Sequence, residues 1–323
     1  MKSRPKSEPR GARPGDLPAM RSVAAAALHL DQDGAELVDL LWDGPDTAPP
    51  LRVVAESDGE VVGVALGSLS TAGTGGGLRG HVNLIAVAPA AQGRGHGRAL
   101  LAALERRLLD SGAETLVVRG STPAYAWPGI DPRYTAAVCL AEAAGYERTR
   151  EAVNMTVDLA TAPLDTAEQE RLLTAQGLTI RPLTGRDQPG FGEWMRGWGG
   201  SWQAEAALAL ARPTGSVHVA VRETDGGTEY LGFACQGSNR RSWFGPMGTE
   251  ESLRGRGVGA VLLRRCLADQ RAAGLTSAEI GWTGPLRFYS RTVGAAVGRV
   301  FWLYAKEPGE ASRHARTEGR TQS

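Results

Sequence analysis

Apolar and polar positions along the first half of the chain predict a series of strands and helices. The stretch LRVVAESDGEVVGVALGSLS predicts two strands joined by a turn at Asp58 and Gly59. HVNLIAVAP predicts a third strand, a helical pattern covers about residues 98–109, and TLVVRG predicts the next strand. A helix over about residues 135–144 and the strand EAVNMTVDL complete this series.

The second half predicts the same order of elements. VHVAVRE and EYLGFACQG predict a hairpin, SWFGPMGT a further strand, and residues 258–272 a long helix. SAEIGW, LRFYSRT and VGRVFWLYAK then predict a strand, a short helix and a last strand. The repeat indicates a tandem duplication, with domains at 20–158 and 178–306 and a linker at 159–177. The segments 1–19 and 307–323, rich in Pro, Gly, Arg and Ser, are predicted to be disordered tails.

Composition narrows the class of protein. A chain of 323 residues with 42% hydrophobic residues can form two cores, and a net charge of +1 favours neither nucleic acid nor membrane as a partner. The apolar stretch VAAAALHL is too short to span a bilayer. Three cysteines without metal-type spacing predict reduced thiols, no metal site and a cytoplasmic location.

Each half carries a Gly-Arg-Gly turn directly before its longest helix, in AAQGRGHGRALLAAL and in SLRGRGVGAVLLRRC. A helix start offers unpaired N–H groups and the positive end of the dipole, so it attracts phosphate. Glycines at alternate positions let a diphosphate approach the backbone closely. A nucleotide P-loop would need Gly-Lys followed by Ser or Thr, which neither turn has. A dinucleotide fold fits poorly too, because Pro89 separates strand from glycine and Glu114 precedes its strand.

Both turns resemble motif A of the GNAT acetyltransferase family: Gln or Arg, two residues, Gly, one residue, then Gly or Ala. The matching residues are Gln92, Gly95 and Gly97 in the first half and Arg254, Gly257 and Gly259 in the second. The resemblance implies two mixed α/β domains, each with a mostly antiparallel central sheet flanked by helices. It further implies acetyl-CoA as cosubstrate and acetyl transfer to a primary amine of a small molecule, by a monomer or homodimer.

The resemblance also implies where acetyl-CoA lies, along the turns and the strands before them. The residues expected to contact it are Ala86, Val87, Gln92, Gly93, Arg94, Gly95, His96, Gly97, Met247, Gly248, Thr249, Arg254, Gly255, Arg256, Gly257, Val258 and Gly259.

The two halves differ at the position of the family's usual thiolate acid, a tyrosine shortly before a glycine. Tyr289 stands five residues before Gly294, whereas Leu140 stands five residues before Gly145 and cannot donate a proton. The resemblance therefore predicts a catalytic second half and a first half that holds CoA without the acid. The alternative for Tyr289 is an aromatic that packs its helix on the sheet.

Two departures from the family pattern concern the second half. Thr283, Gly284 and Pro285 stand where an Asn is usual. No general base is predicted, because SWFGPMGT contains no acid. His218 and Glu229 are weaker candidates for this role.

Aromatic residues suggest two acceptor regions, each with a simpler interpretation. Trp194 and Trp198, with Trp202, repeat every four residues and predict either core packing or an aromatic wall for a sugar or bulky amine. In the first half, the longer loop STPAYAWPGIDPRYT holds Trp127, Asp131 and Tyr134, which predicts either acceptor binding or a domain-interface plug.

The sequence is somewhat similar to tandem glucosamine or glucosaminide N-acetyltransferases in GWTGPLRFY and WPGIDPRY, and less similar to mycothiol synthase. An amino sugar is therefore the preferred acceptor class. Two alternatives stay open: a non-catalytic acyl-CoA sensor or scaffold, and an acetyltransferase acting on a protein amine or a mycothiol-type precursor.

Overall fold

The computed structural model describes residues 8–44, 51–71 and 76–307, and these residues form two compact units. The first unit consists of the described parts of 1–152 and 301–323, and the second unit is 153–300.

The first unit is a sheet with helices packed on it. Its elements are β1 (Arg10–Gly11), α1 (Leu17–Ala27), α2 (Gly34–Trp42), β2 (Arg52–Ser57), β3 (Glu60–Thr71), β4 (Leu78–Val87), α3 (His96–Asp110), β5 (Thr115–Val118), α4 (Thr135–Ala143) and the beginning of β6 (Glu147–Asp158). The order β1-β2-β3-β4-β5 is antiparallel except for the parallel pair β4 and β5. The predicted turn between β2 and β3 is confirmed, with both Asp58 and Gly59 at positive φ.

The second unit repeats this plan. Its elements are α5 (Ala167–Thr174), β7 (Thr179–Pro182), α6 (Gln188–Met195), α7 (Trp202–Ala211), β8 (Ser216–Thr224), β9 (Gly227–Gln236), β10 (Trp243–Thr249), α8 (Val258–Ala272), β11 (Ser277–Ile280), α9 (Leu286–Val293) and the beginning of β12 (Ala296–Lys306). Strands β7 to β10 are antiparallel neighbours, and β10 and β11 are parallel. The predicted fold class, mixed α/β with a mostly antiparallel sheet, is confirmed.

Two strands divide between the units, which differs from the predicted boundaries. The end of β6 pairs antiparallel with β11 in the second unit, through Met155 to Asp158. The end of β12 pairs antiparallel with β5 in the first unit, through Tyr304 to Lys306. The chain therefore changes unit after Ala152 and again after Val300, within strands rather than within the predicted linker.

The described part of the predicted N-terminal tail is ordered, contrary to the prediction. Arg10 and Gly11 pair with β2 as a two-residue strand. The Arg10 guanidinium bonds the carboxylates of Asp16 and Glu56, and its pKa is raised mainly by these hydrogen bonds. Polar contacts, rather than apolar burial, order this segment. Residues 1–7 and 308–323 of the predicted tails lie outside the described residues.

Each unit has its own apolar core. In the first unit, α3 packs on the sheet through Leu100, Leu104 and Leu108, all fully buried. In the second unit, α8 packs on one face of the sheet through Val261, Leu262 and Leu263, and α6 and α7 cover the other face. No helix among the described residues is long and apolar enough to cross a membrane.

Candidate active site

The two glycine turns have the same backbone conformation. Gly93 and Gly95 have φ of 73° and 91°, and Gly255 and Gly257 have φ of 79° and 86°. A residue with a Cβ is destabilised by about 1–2 kcal/mol in this left-handed region, which accounts for the repeated glycines. A Cβ added at Gly93, Gly255 or Gly257 would meet no atom within 4 Å. Open space therefore adjoins the start of α3 and of α8.

Each turn is approached by a strand whose edge is open. β10 pairs with β11 only at Trp243 and Phe244, so residues 245–249 have no partner on that side. In the first unit β4 pairs with β5 only up to His81, which leaves 82–87 open in the same way. Register shifts opposite β9 and β3 mark a bulge at each divergence, at Gly245–Pro246 and at Asn83. Each sheet thus has a fork that leads to its glycine turn.

The fork and turn suit an extended ligand with a diphosphate. Predicted contacts Ala86 and Val87 lie on the open edge of β4, and Met247, Gly248 and Thr249 lie on that of β10. The Val87 carbonyl accepts a 3.0 Å hydrogen bond from Gln92 Nε2. The other backbone groups of these edges can bond amide groups, and the helix starts can hold phosphates. The residues present therefore fit the pantetheine arm and pyrophosphate of acetyl-CoA.

The side chains around the second turn divide into exposed and buried ones. Arg254 pairs with Glu251 at 3.0 Å, and both side chains are exposed. Arg256 donates a short hydrogen bond to Gln176. Val258 is buried in the core below the turn.

A cavity of about 630 Å³ in the first unit joins its glycine turn to the predicted acceptor loop. The predicted residues that line it are Ala86, Val87, Gln92, Gly93, Gly95, His96, Gly97, Trp127, Asp131 and Tyr134. Arg94 does not line this cavity. The first unit therefore brings its predicted CoA contacts and its predicted acceptor contacts to one space.

The buried carboxylate of Asp31 holds two walls of this cavity. It accepts hydrogen bonds from Trp127 Nε1 at 3.2 Å and from the Tyr134 hydroxyl at 2.8 Å. The ring of His29 lies edge-on to Tyr134, with centroids 4.9 Å apart. Asp131, also buried, accepts a 2.6 Å ion-pair contact from Arg133. Asp31 was not predicted as a site residue, because only the fold brings it to a loop about a hundred residues later.

Tyr289 lies beside the fork of the second unit. It is 7% exposed, and its ring is edge-on to Phe244, the last β10 residue that pairs with β11. Burial raises the pKa of Tyr289 to about 12, so the phenol stays protonated at neutral pH. Among the described residues no hydrogen bond engages its hydroxyl, which is therefore available to a ligand.

The corresponding helix of the first unit has no proton donor at this place. Leu140 approaches the Cβ position of Gly97 within 3.5 Å, as Phe288 approaches that of Gly259 within 3.6 Å. This packing makes Ala141 the counterpart of Tyr289, one residue from the match made by counting back to Gly145. Neither Leu140 nor Ala141 can donate a proton.

Asn154 accounts for the unusual sequence before α9. This fully buried side chain accepts a 2.7 Å hydrogen bond from the backbone N–H of Trp282 and donates one of 2.6 Å to Glu279. Trp282 has a φ of 46°, a conformation that non-glycine residues rarely adopt. The loop is thus held by an Asn from β6, whereas the family pattern has an Asn within the loop.

Trp194, Trp198 and Trp202 pack mainly on protein. All three rings contact the ring of Phe233 at centroid distances of 5.5 to 6.0 Å. The Trp198 ring also covers Gly248, where an added Cβ would come within 2.4 Å of it. Gly199 and Gly200, both at positive φ, separate α7 from the preceding helical turn. These contacts match the core-packing interpretation of the tryptophan repeat.

His218 and Glu229, the two weaker candidates for the general base, make their contacts elsewhere in the second unit. His218 Nε2 contacts Asp269 on α8 at 2.7 Å, on the face of the sheet opposite α7. Glu229 lies in the β8–β9 hairpin, where it pairs with Arg222 at 2.8 Å.

Glu205, which was not predicted as a site residue, is a carboxylate on α7, one of the helices that pack on the sheet of the second unit. Glu205 is 5% exposed, and burial raises its pKa to about 7. Among the described residues, its carboxylate accepts one hydrogen bond, from Ser201 Oγ at 2.6 Å. The spacing of Glu205 in the sequence could have indicated its burial. It shares one helical stripe with Trp202 and Ala209, and such a stripe faces the core.

Comparisons with known proteins agree with this geometry. Residues 20–126, which include the first glycine turn and the open edge of β4, match the acetyltransferase (GNAT) family. The first glycine turn thus lies in a segment that matches this family. Enzymes of this family use acetyl-CoA and acetylate amines. Among curated proteins, none is similar enough in sequence to match.

Solved structures of GNAT proteins match nearly the whole chain. One is a fungal multi-domain GH3 β-N-acetylglucosaminidase that contains a glucosamine N-acetyltransferase region, with 18% identity over 92% of this chain and a TM-score of 0.71. The match spans only 38% of that protein. A tandem GNAT protein from the clavulanic acid biosynthesis pathway has 18% identity, coverage of 94% and 98% of the two chains, and a TM-score of 0.66. A GNAT from Sphaerobacter thermophilus has 24% identity, coverage of 93% and 96%, and a TM-score of 0.62. The tandem GNAT fold is thereby confirmed.

Proposed function

We propose that this GNAT enzyme transfers the acetyl group of acetyl-CoA to a primary amine of a small molecule, and that the second unit carries out the chemistry. The observation that carries the proposal is Tyr289, a protonated phenol with an unengaged hydroxyl beside the β10–β11 fork. Its counterpart in the first unit is apolar.

Tyr289 would act on the leaving sulfur. When the amine nitrogen bonds the acetyl carbon, the carbon–sulfur bond breaks and the sulfur leaves as a thiolate. Proton transfer from Tyr289 converts this thiolate to the free thiol of CoA. The nitrogen loses a proton as the amide forms, and solvent restores the phenol. Backbone N–H groups on the open edge of β10 can stabilise the developing oxyanion.

The first unit keeps the parts for binding but lacks the tyrosine. Its cavity joins the glycine turn to Trp127 and Tyr134, so we propose that it binds CoA and has a structural or acceptor-shaping role.

An amino sugar is the acceptor class that we prefer. The fungal structural match contains a glucosamine N-acetyltransferase region, which supports this class as a proposal. Aromatic walls such as Trp127 and Tyr134 suit the apolar face of a sugar ring. A non-catalytic acyl-CoA sensor is the second candidate, which the predominantly packed tryptophans of the second unit favour.

Thiol release from acetyl-CoA tests the proposal. The full chain is incubated with glucosamine, polyamines, aminoglycosides or amino acids, and free thiol is measured against a reaction without amine. Amine-dependent release, with the N-acetyl product identified by mass spectrometry, is the expected result. A folded protein that binds acetyl-CoA but releases no thiol with any amine would favour the sensor.

A further inference from the structure

An acetyl transfer to an amine needs a group that takes a proton from the ammonium, and β10 of the second unit provides none. Its residues 243–249 read WFGPMGT and contain no titratable side chain. A base must therefore come from another element, such as the helices on the two faces of this sheet.

Glu205 on α7 has the burial and the free oxygen that such a group needs. Its carboxylate is buried, and Oε1 accepts the hydrogen bond from Ser201. Oε2 has no hydrogen-bond partner among the described residues.

The register of the sheet relates the position of Glu205 to the fork. Gln236 pairs with Phe244, and Ala234 pairs with Met247, so Cys235 lies opposite the bulge at Gly245–Pro246. Glu205 is close enough to Cys235 for its negative charge to raise the pKa of that thiol, in addition to the larger effect of burial. The bulge is where β10 leaves β11, and α7 packs through Ala206 and Ala209 on the same face of the sheet as Cys235, so Glu205 lies on a helix near the beginning of the open strand edge.

Glu205 and Tyr289 approach the fork from opposite faces of the sheet. Cys235 belongs to the apolar cluster covered by α6 and α7, whereas Tyr289 belongs to the cluster around α8. A fork is an opening in the sheet, so groups on both faces can reach a ligand that passes through it. An amine on the α7 side and a leaving sulfur on the α8 side would then meet different proton carriers.

We propose that Glu205 is the general base of the second unit, binding the acceptor ammonium through Oε2 and removing its proton. This inference rests on the proposed function. The proton passes from the ammonium nitrogen to Oε2, and the freed lone pair forms the bond to the acetyl carbon. Glu205 returns the proton to solvent after the product leaves, which balances the net release of one proton.

The surroundings of Glu205 support this assignment. Burial raises its pKa to about 7, close to the value at which a base works best at neutral pH. The Cys235 thiol on β9 is a titratable group close to it, and burial raises the pKa of this thiol. Ser201, at the start of α7, opposes the effect of burial and lowers the pKa of Glu205.

The test compares the pH dependence of kcat/KM in the full chain and in Glu205→Gln, with the best amine of the panel. In the wild type, kcat/KM should rise with an inflection near pH 7 as Glu205 loses its proton. Glu205→Gln should lower kcat/KM by about 10²–10⁴-fold at neutral pH. The inflection of its remaining activity should follow the pKa of the amine, measured separately.

Two further variants separate catalysis from structure. Ser201→Ala should move the inflection to higher pH, because its hydroxyl lowers the pKa of Glu205. Glu193→Gln, on an exposed side chain of α6, is the matched control and should leave the profile unchanged. If Glu205→Gln fails to bind acetyl-CoA in calorimetry, Glu205→Asp replaces it and should retain part of the activity with a displaced inflection.

The outcomes distinguish the two proposals. A wild type that acetylates an amine while Glu205→Gln keeps the same kcat/KM and inflection overturns the role of Glu205 alone. A wild type that releases no thiol with any amine overturns the proposed function, and the base with it.

Discussion

The ring of Tyr289 lies edge-on to the ring of Phe244, with centroids 6.1 Å apart and planes at 73°. Phe244 is the last residue of β10 that pairs with β11. The contact therefore holds the tyrosine at the point where the sheet opens toward the glycine turn.

The Gly257 turn should be needed for acetyl-CoA binding in the second unit. Gly257→Leu puts a side chain into the open space in front of α8 and should weaken binding by blocking the approach of the pyrophosphate. Calorimetry of the full chain measures the affinity and the number of sites. Gly274→Leu is the control, since Gly274 has nearly the same φ, 85°, just beyond the other end of α8. Both variants pay about 1–2 kcal/mol of backbone strain. If the two variants bound acetyl-CoA with equal affinity, the proposed pyrophosphate site at the Gly257 turn would be contradicted.

Glu205 should make the folded protein less stable as pH rises. Its folded pKa of about 7 exceeds the ordinary value of 4.5, so the folded state holds the proton more tightly than the unfolded state. The free energy of unfolding should therefore fall between about pH 4.5 and pH 7. Glu205→Gln should be more stable than wild type by about 1–3 kcal/mol at pH 8, and this difference should shrink toward pH 5. Urea unfolding at both pH values measures it, and a difference independent of pH would contradict the raised pKa.

Asp31 should matter for the stability of the first unit. Asp31→Ala leaves the Trp127 indole and the Tyr134 hydroxyl without this acceptor, which should cost about 1–3 kcal/mol. Asp39→Ala, which removes a more exposed ion pair with Arg21, should cost less than about 1 kcal/mol. Thermal unfolding compares the two, and equal losses would mean that the buried network contributes nothing beyond a surface pair.

Local sequence patterns predicted much of the fold. The order of apolar positions around the two glycine turns predicted α3, α8 and the strands before them, because each element has its own periodicity. The two-residue strand β1 was missed, since Arg10 and Gly11 have no period and are held by ion pairs. The division of β6 and β12 between the two units was not predicted either. A strand pattern shows which face of the strand is buried but not which strand will pair with it.

The candidate site was predicted unevenly. Glycine turns have a sequence signature because positive φ requires glycine, so Gly95 and Gly257 were found. Glu205 has only a weak signature, its place on the helical stripe of Trp202 and Ala209, and the sequence does not show what this stripe packs against. The meeting of Asp31 with Trp127 depends on the whole fold of the first unit, and no local pattern reveals it.

The turnover of Tyr289→Phe tests most directly whether the second unit is the catalytic one. This substitution removes only the hydroxyl, so kcat should fall by about 10²–10⁴-fold while the calorimetric affinity for acetyl-CoA stays the same. Leu140→Ala is the matched variant in the first unit and should act mainly through packing. A fully active Tyr289→Phe, together with loss of turnover when the Gln92–Gly97 turn is disrupted in a folded protein, would instead assign the chemistry to the first unit.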